Sequence, residues 1–430
     1  MRSTIVSCLL GAISTVNAIA TISIKGSKFF TSDGDQFFLK GIAYQLVPED
    51  PLIDNTQCKL DAALMKEVGA NSIRVYHVDP NGDHKDCMST FEDAGIYLWV
   101  DLDTFTTQIN QDSPQWNATQ LSAFEKVIDE FQQFDNTAGF FVGNEVLTTG
   151  NGSVAAPYVK AAARDTKAYR NSKKYRDIPI GYSAADISEL RPMLQNYMAC
   201  GDNSSEALDF FSLNAYEWCG PSSNYQVSGY SQLTKNVTDY NIPIFFSETG
   251  CIKPRPRTFE DQAAIFGDDM NPYWSGAIIY EWIEESNEYG LVTYGEKVDP
   301  AGVSAPPDGY TRSGTPTPIS PDFDNLSGQW KTLSPTGVKA SAYTPSLTPP
   351  PCPAYTSDFW AVNGGVALPT LGQTFNAAIQ SSITKGTAAA GTATTSAPTT
   401  TKTGGGSPGR EVKGMGIGLV GVLVGFFWWM

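Results

Sequence analysis

The sequence predicts an α/β fold, a closed (β/α)8 TIM barrel, from the type of its apolar runs and from their number. Short, nearly continuous runs rich in β-branched and aromatic residues alternate with longer segments of helical apolar spacing. Such runs are typical of parallel strands covered on both faces, and eight of these units fill the length of a barrel. The alternative is an open, doubly wound sheet, but no Gly-x-Gly-x-x-Gly motif follows a strand.

Eight segments are predicted as strands: 37–44, 72–78, 96–102, 139–143, 178–183, 210–215, 244–247 and 276–281. Segments 60–68 and 121–134 have the apolar spacing of helices that pack outside a barrel. Before the first strand, Phe29 and Phe30 precede the turn signal Asp33-Gly34. We expect this hairpin to plug the bottom of the barrel.

Both ends of the chain carry features of a secreted, lipid-anchored protein. Residues 1–20 have the basic start, apolar centre and small residues of a signal peptide, with cleavage expected after Ala18 or Ala20. Near the other end, Gly404, Gly405 and Gly406 precede a polar spacer and an apolar tail, the order of a glycosylphosphatidylinositol (GPI) signal. The alternative for this tail is a transmembrane helix, although the tail is short and contains four glycines.

Between these ends, composition predicts three regions. Residues 21–325 form the barrel, and residues 326–375 form a proline-rich extension tied back by Cys352. Residues 376–406 are rich in Ser, Thr, Ala and Gly, which is typical of a disordered stalk. GPI attachment is expected near its end, and residues 407–430 would be removed.

Cysteines, sequons and charge agree with this picture. Six cysteines of the mature chain predict three disulfides, with 15 possible connectivities. The net charge of −16 disfavours nucleic acid as a partner, and the presence of only two histidines and no CxxC pair argues against a metal site. No cofactor is expected. Five N-glycosylation sequons begin at Asn117, Asn151, Asn203, Asn236 and Asn325.

Two glutamates are candidate catalytic residues. Glu145 follows the fourth predicted strand and Glu248 follows the seventh, so both lie at the carboxyl ends of strands, where barrel enzymes carry their active sites. Strands four and seven face each other across the barrel mouth. A glycosidase needs two such carboxyl groups beside one bond, one protonated and one ionised. A buried ion pair or a helix cap remains the alternative for either residue taken alone.

Aromatic side chains also follow strands and are expected in or around the cleft, where flat rings stack on sugar rings. They are Tyr76, Tyr216, Trp218, Tyr280 and Trp282. Asn144, beside Glu145, is expected to bond a sugar 2-hydroxyl group. For any single ring, packing in the core is an equally good interpretation.

The chain resembles the fungal GPI-anchored β-1,3-glucanosyltransferases, glycoside hydrolase family 72. The segments that carry this resemblance are 40–45 (KGIAYQ), 73–76 (IRVY), 97–102 (YLWVDL), 143–146 (GNEV), 182–186 (YSAAD), 216–220 (YEWCG), 246–251 (FSETGC) and 280–282 (YEW). They run through the whole barrel. With only Cys352 in the extension, the chain is similar to the short subfamily, which lacks a cysteine-rich carbohydrate-binding module.

The resemblance implies roles for individual residues. Glu145 would be the acid/base and Glu248 the nucleophile. Positions that match glucan contacts in the family are Tyr76, the segment from Asp103 to Gln111, Asn144, Asp186, Arg191 and Tyr280. The disulfide pairing it implies is Cys58 with Cys87, Cys200 with Cys352, and Cys219 with Cys251.

The resemblance also implies a reaction: retaining cleavage of an internal β-1,3-glucan bond and transfer to the non-reducing end of a second glucan. A monomer at the fungal cell surface is expected to do this, with glucan as donor and acceptor. Two alternatives stay open. In the first, the chain would be a retaining β-1,3-glucanase that transfers the glycosyl group to water. In the second, it would be a non-catalytic surface protein that holds glucan.

Overall fold

The computed structural model describes residues 18–302 and 305–376. A hairpin of β1 (Ile22–Lys25) and β2 (Lys28–Thr31) precedes eight parallel strands, which close into a barrel in the order β10-β3-β4-β5-β6-β7-β8-β9. These strands are β3 (Leu39–Ala43), β4 (Ser72–Val75), β5 (Tyr97–Asp101), β6 (Thr137–Asn144), β7 (Ile180–Ala185), β8 (Phe210–Asn214), β9 (Ile244–Thr249) and β10 (Trp274–Ile279). The prediction of a (β/α)8 barrel is confirmed.

Helices connect the strands on the outside of the barrel. They are α1 (Asn55–Val68), α2 (Lys85–Ala94), α3 (Ala118–Phe131), α4 (Ala156–Ser172), α5 (Arg191–Ala199), α6 (Tyr230–Lys235), α7 (Glu260–Ile265) and α8 (Asp322–Thr332). A short antiparallel pair, β11 (Val292–Thr293) and β12 (Thr317–Pro318), lies between β10 and α8. Helix α3 begins with a capping box, in which the Asn117 side chain accepts from the Gln120 backbone and the Gln120 side chain accepts from the Asn117 backbone.

The amino-terminal half of the barrel interior is filled with aromatic rings. Phe29, from β2, is fully buried with its ring centroid 5.2 Å from that of Trp99 and 6.0 Å from those of Phe210 and Phe245. The hairpin therefore plugs the barrel, as expected. The β1-β2 turn itself begins at Gly26, whereas Asp33-Gly34 makes a second tight turn after β2.

Glycines make room for two of these rings. A Cβ atom on Gly139 of β6 would lie 2.5 Å from the ring of Trp99, and one on Gly181 of β7 would lie 2.5 Å from the ring of Phe210. Real Cβ atoms do not approach other atoms this closely. Each ring therefore occupies the space that a side chain on the neighbouring strand would need.

The last barrel helix, α8, packs against α1 and α7 and runs to Thr332, so the predicted domain boundary at residue 325 falls inside a helix. Beyond it, the extension lies along the barrel surface. Lys339 pairs with Asp35, and the buried Trp360 packs against Tyr197 with ring centroids 5.3 Å apart.

Three disulfides are present, Cys58–Cys87, Cys200–Cys352 and Cys219–Cys251, which is the pairing that the family resemblance implies. Cys352 thereby ties the extension to the end of α5. The predicted signal segment through residue 17, most of the predicted stalk and the predicted anchor site at Gly404, Gly405 and Gly406 lie outside the described residues. Within the described part of the chain, no helix combines the length and apolar character needed to cross a membrane.

Candidate active site

A buried arginine organises the carboxyl-terminal half of the barrel interior. Arg74, on β4, is fully buried and donates two hydrogen bonds to Asp101 of β5, from Nε at 3.1 Å and from Nη2 at 2.8 Å. Its Nη1 lies 3.4 Å from Oε1 of Glu248. The guanidinium also lies over the rings of Tyr76 and Phe141, at 4.3 and 4.4 Å from their centroids. One cation thus holds two carboxylates at the top of the barrel.

Glu248, near the end of β9, accepts hydrogen bonds at both carboxyl oxygens. Tyr76 donates to Oε1 at 2.9 Å and Tyr216 donates to Oε2 at 2.7 Å. Burial raises the pKa of Glu248 to about 7, while Arg74 and the two tyrosine hydroxyls act in the opposite direction. With two hydroxyl donors and a cation around it, the ionised form of this carboxyl group is the better satisfied one.

Glu145 directly follows β6 and has a φ of 48°, in the left-handed region that non-glycine residues rarely occupy. That conformation costs about 1 kcal/mol and lets the backbone N–H of Glu145 donate to the carbonyl of Ser183 at 2.8 Å. The side chain receives one hydrogen bond, from Nδ2 of Asn214 to Oε1 at 2.8 Å. Burial raises the pKa of Glu145, opposed by that bond and by Arg74.

The two glutamates belong to one site. Asn214, which holds Glu145, is the register partner of Glu248 in the β8-β9 pair, and the charge of Glu145 raises the pKa of Glu248. Two carboxyl groups in one buried site do not both ionise readily. Glu248 has the stronger set of donors, which favours its ionised form and leaves Glu145 better suited to hold a shared proton. This division of states is what a glycosidase needs in its acid and its nucleophile.

Asn144 is held so that its amide nitrogen stays available. Its Oδ1 accepts from Nη2 of Arg74 at 3.0 Å and from Nδ2 of Asn214 at 3.1 Å. A guanidinium has no acceptor, so the oxygen of the Asn144 amide must be the atom that faces Arg74. The Nδ2 group is left to donate to a bound molecule.

Three tyrosine rings stand together beside Glu248. The ring centroid of Tyr280 lies 6.4 Å from that of Tyr216 and 5.4 Å from that of Tyr289, and the centroids of Tyr216 and Tyr289 are 5.6 Å apart. Tyr289 was not predicted, because it lies in the loop after β10 and no strand pattern marks it.

The expectation that Trp282 lies in the cleft is wrong. Its indole is fully buried and donates to Asp61 of α1 at 3.2 Å and to Tyr294 at 2.9 Å. After β10 the backbone N–H of Trp282 donates to the carbonyl of Ala43, which carries the side chain toward α1. Trp218 is half-buried against the core, with its ring centroid 5.4 Å from that of Tyr230.

The other predicted contact residues follow barrel strands, on loops for Asp103, Gln111 and Asp186 and at the start of α5 for Arg191. Burial raises the pKa of Asp103 to about 7, and the charge of Asp101 acts in the same direction. Gln111 donates to Thr148, three residues after Glu145, at 2.7 Å. Asp186 and Arg191 form an ion pair with each other after β7.

Sequence reasoning missed Arg74, Asp101, Asn214 and the serines beside them as site residues. A signal was available, because Arg74 and Asp101 are opposite charges inside apolar strands that are neighbours in a barrel. As for metals, residues 18–302 and 305–376 contain no group of three His, Cys, Asp or Glu side chains placed to hold an ion.

Comparison with known proteins places this site in a family. The family model described as Glucanosyltransferase, of glycoside hydrolase family 72, matches residues 11–302. The chain is 40% identical to 1,3-beta-glucanosyltransferase gas2 of Schizosaccharomyces pombe, over 83% of this chain and 76% of the relative. It is 39% identical to 1,3-beta-glucanosyltransferase gel1 of Aspergillus fumigatus, over 82% and 74%. Protein EPD1 of Candida maltosa is longer, and the chain spans 60% of its length at 42% identity.

Among solved structures, Saccharomyces cerevisiae Gas2p in complex with laminaritetraose and laminaripentaose is similar, with a TM-score of 0.71 and 37% identity. The similarity covers 80% of this chain and 74% of that one. The matched region contains the barrel and both glutamates. The chain therefore belongs to the glucanosyltransferase family, glycoside hydrolase family 72.

Proposed function

We propose that this chain is a retaining 1,3-β-glucanosyltransferase. It cleaves an internal bond of a β-1,3-glucan and transfers the new reducing end to the non-reducing end of another β-1,3-glucan, which elongates cell-wall glucan. The observation that carries the proposal is the pair of carboxyl groups in one barrel mouth: Glu248 is buried among two hydroxyl donors and a cation, and the part-buried Glu145 receives a single amide donor. Family membership and the names of the relatives support it.

In the first step, Glu145 gives its proton to the glycosidic oxygen as the bond from that oxygen to the anomeric carbon breaks. Glu248 attacks the same carbon and forms a covalent glycosyl ester, and the reducing-end fragment leaves with the proton. Tyr76, Tyr216 and Arg74 keep Glu248 ionised and oriented for this attack.

In the second step, the 3-hydroxyl group of an acceptor glucan gives its proton to Glu145 and attacks the anomeric carbon. The ester bond to Glu248 breaks, so the new bond has the original β configuration. While Glu248 is esterified it carries no charge, so an ionised Glu145 no longer faces a second carboxylate in the site. Glu145 is then stable as the carboxylate that serves as a base.

The rest of the site is suited to a neutral sugar polymer. The Nδ2 group of Asn144 is available to the 2-hydroxyl of the sugar undergoing reaction, a contact that strengthens in the transition state. The rings of Tyr216, Tyr280 and Tyr289 offer flat apolar faces for pyranose rings.

A product assay on a defined laminari-oligosaccharide tests the proposal. The wild-type chain should yield products longer than the substrate, and Glu145→Gln and Glu248→Gln should each lose at least about a thousandfold in rate. Glu125→Gln, on the outer surface of α3, is the matched control and should keep full activity. If all products were shorter than the substrate, the chain would transfer to water. Full activity of Glu248→Gln would contradict the assignment of Glu248 as the nucleophile.

Stereochemistry gives a second test of the same site. Proton NMR of the first products should show the β anomer at newly formed bonds, because two displacements restore the configuration. Initial formation of the α anomer would exclude a covalent intermediate on Glu248.

We also propose secretion as a glycosylated, GPI-anchored monomer of the cell surface, with the domain limits given by the sequence except that the barrel domain runs through α8 to Thr332. Ile19 donates to Glu92, and the Ala20 carbonyl accepts from Tyr97, so cleavage after Ala18 would keep both contacts. Among the sequons, Asn151 and Asn203 are exposed, whereas the Asn325 amide donates to the Arg257 carbonyl. Release of the protein from cells by phosphatidylinositol-specific phospholipase C would test the anchor.

A further inference from the structure

Asn214 is the last residue of β8 and is 4% exposed. Among the described residues, it is the only side chain that donates a hydrogen bond to the Glu145 carboxyl group. We infer that Asn214 is a positioning residue that holds Oε1 of Glu145 as an acceptor, so that the acidic proton of Glu145 is carried by Oε2. This inference rests on the proposed function, since it assigns which oxygen of the acid/base exchanges protons with the glucan.

The orientation of the Asn214 amide follows from its neighbours. Its Oδ1 accepts from Oγ of Ser183 at 2.9 Å and from Oγ of Ser247 at 2.8 Å. Its Nδ2 donates to Oε1 of Glu145 and to Oδ1 of Asn144. A flipped amide would place its oxygen against Oδ1 of Asn144, which faces Arg74 and can only accept. The contact with Asn144 therefore fixes the orientation of the Asn214 amide.

Arg74 sets the direction of this hydrogen-bond network. Its Nη1 donates to Oγ of Ser183 at 3.1 Å and its Nη2 donates to Oδ1 of Asn144 at 3.0 Å. Arg74 has donors only, so the hydroxyl of Ser183 accepts a hydrogen bond from Arg74 and donates one to Oδ1 of Asn214. The hydrogen bonds therefore run from Arg74 through Ser183 and Asn214 to Glu145. At the end of this series, Nδ2 of Asn214 is the donor and Oε1 of Glu145 is the acceptor.

This arrangement has a chemical consequence for Glu145. A carboxyl oxygen that accepts a short N–H bond is a poor site for the proton, so the neutral acid carries its proton on the other oxygen. Because Asn214 can only donate, it favours the carboxylate and opposes the rise in the pKa of Glu145 that burial causes. Glu145 is thereby a stronger acid than burial alone would allow.

The test is the pH dependence of kcat/KM for a laminari-oligosaccharide in Asn214→Ala and Asn214→Asp. Loss of the donor should move the alkaline limb, which reports the proton on Glu145, upward by about one pH unit in Asn214→Ala. Asn214→Asp should move it further, because a second carboxyl group then faces Glu145. kcat on glucan should fall about tenfold while KM changes little.

A laminaribiosyl fluoride donor separates proton delivery from general damage, because fluoride needs less help from an acid. Both variants should lose less activity on the fluoride than on glucan. Asn271→Ala, which removes a buried amide that donates to the Phe266 carbonyl away from the site, is the matched control. It should lower Tm and leave the pH profile unchanged.

The milder variant Ser247→Ala removes one of the two hydroxyl donors to Oδ1 of Asn214, and should shift the alkaline limb in the same direction by less. If either Asn214 variant fails to fold, Ser247→Ala provides the test of the positioning role. An unshifted profile in a folded variant, with equal losses on glucan and fluoride, would overturn the positioning role. That result would leave the proposed function intact, which fails only if the wild-type chain forms no longer products or if Glu145→Gln keeps its activity.

Discussion

The two halves of the barrel interior are built on different principles. In the amino-terminal half, Phe29, Trp99, Phe210 and Phe245 meet through ring edges and faces, and only their volume and shape matter. In the carboxyl-terminal half, Arg74 and its partners are arranged by donor and acceptor. A change in the first half leaves a gap, whereas a change in the second leaves a charge or an amide without its partner. Glu145 and Glu248 both lie in the half that is arranged by donor and acceptor.

The largest effect is expected from Arg74→Met. Because Asp101 would remain buried without its cation, we expect a loss of roughly 3–5 kcal/mol in the free energy of unfolding, measured in urea, and loss of transferase activity. The double variant Arg74→Met with Asp101→Asn should recover part of the stability and none of the activity. An Arg74→Met variant as stable as the wild type would contradict the view that the carboxyl-terminal half of the barrel interior depends on charge pairing.

The variant Phe29→Ala tests the amino-terminal half of the barrel interior. Removing this ring should cost about 3 kcal/mol in unfolding free energy, because the closed barrel cannot collapse around the cavity. The value of kcat on glucan should stay within about twofold of the wild-type value, since no polar contact is lost. Phe359→Ala, at an exposed ring of the extension, is the matched control and should change neither quantity. A large fall in kcat would show that the halves are coupled.

A buried charge outside the barrel sharpens the comparison. His84 lies between Asp50 and Glu130, with ring nitrogens 2.7 and 2.9 Å from their oxygens, and Asp79 also faces it. Burial alone lowers the pKa of His84, but the bonds to Asp50 and Glu130 raise it above its ordinary value. The folded state thus binds the proton more tightly than the unfolded chain does.

The stability contributed by protonated His84 is fully present below the ordinary pKa of 6.5 and is lost as the pH rises through the higher folded value. His84→Gln should therefore lower Tm more at pH 5 than at pH 9, with a cost of roughly 1–2 kcal/mol at the lower pH. Thermal unfolding at the two pH values measures the difference. An equal deficit at both would show that packing, and not the proton, explains the role of His84.

The smallest effect is expected from Tyr216→Phe, which should act on the pH profile and hardly on stability. The hydroxyl of Tyr216 donates to Glu248, so its loss should raise the pKa of that proposed nucleophile. Since Glu248 must be ionised to attack, the acidic limb of kcat/KM should move up by about one pH unit. Tyr240→Phe, whose hydroxyl donates to the Gln195 carbonyl far from the carboxylates, should leave the limb in place.

The fold could be predicted because burial on both faces gives each parallel strand an apolar run, and all eight runs became strands. The position of Glu145 and Glu248 at the barrel mouth could be predicted because they interrupt those patterns at strand ends. Arg74 was missed although Asp101 in the neighbouring apolar strand offered a signal. Asn214 could not be predicted, because its importance depends on which side chains point inward and on how its strand pairs with its neighbours. Trp282 was misplaced for a related reason, since the backbone turns after β10 and the strand pattern does not show where the turn leads.

The close approach of Trp99 to Gly139 has an evolutionary consequence. Any side chain at residue 139 would collide with the indole, so no larger residue can be accepted there while the tryptophan remains. A smaller residue at 99 would have to arise first, at the expense of a cavity, before 139 could gain a side chain. Relatives should therefore keep both residues or replace both. Residue 181 is more constrained, because a Cβ atom there would also lie 2.5 Å from the backbone carbonyl oxygen of Phe210, and a smaller residue at 210 would not remove that contact.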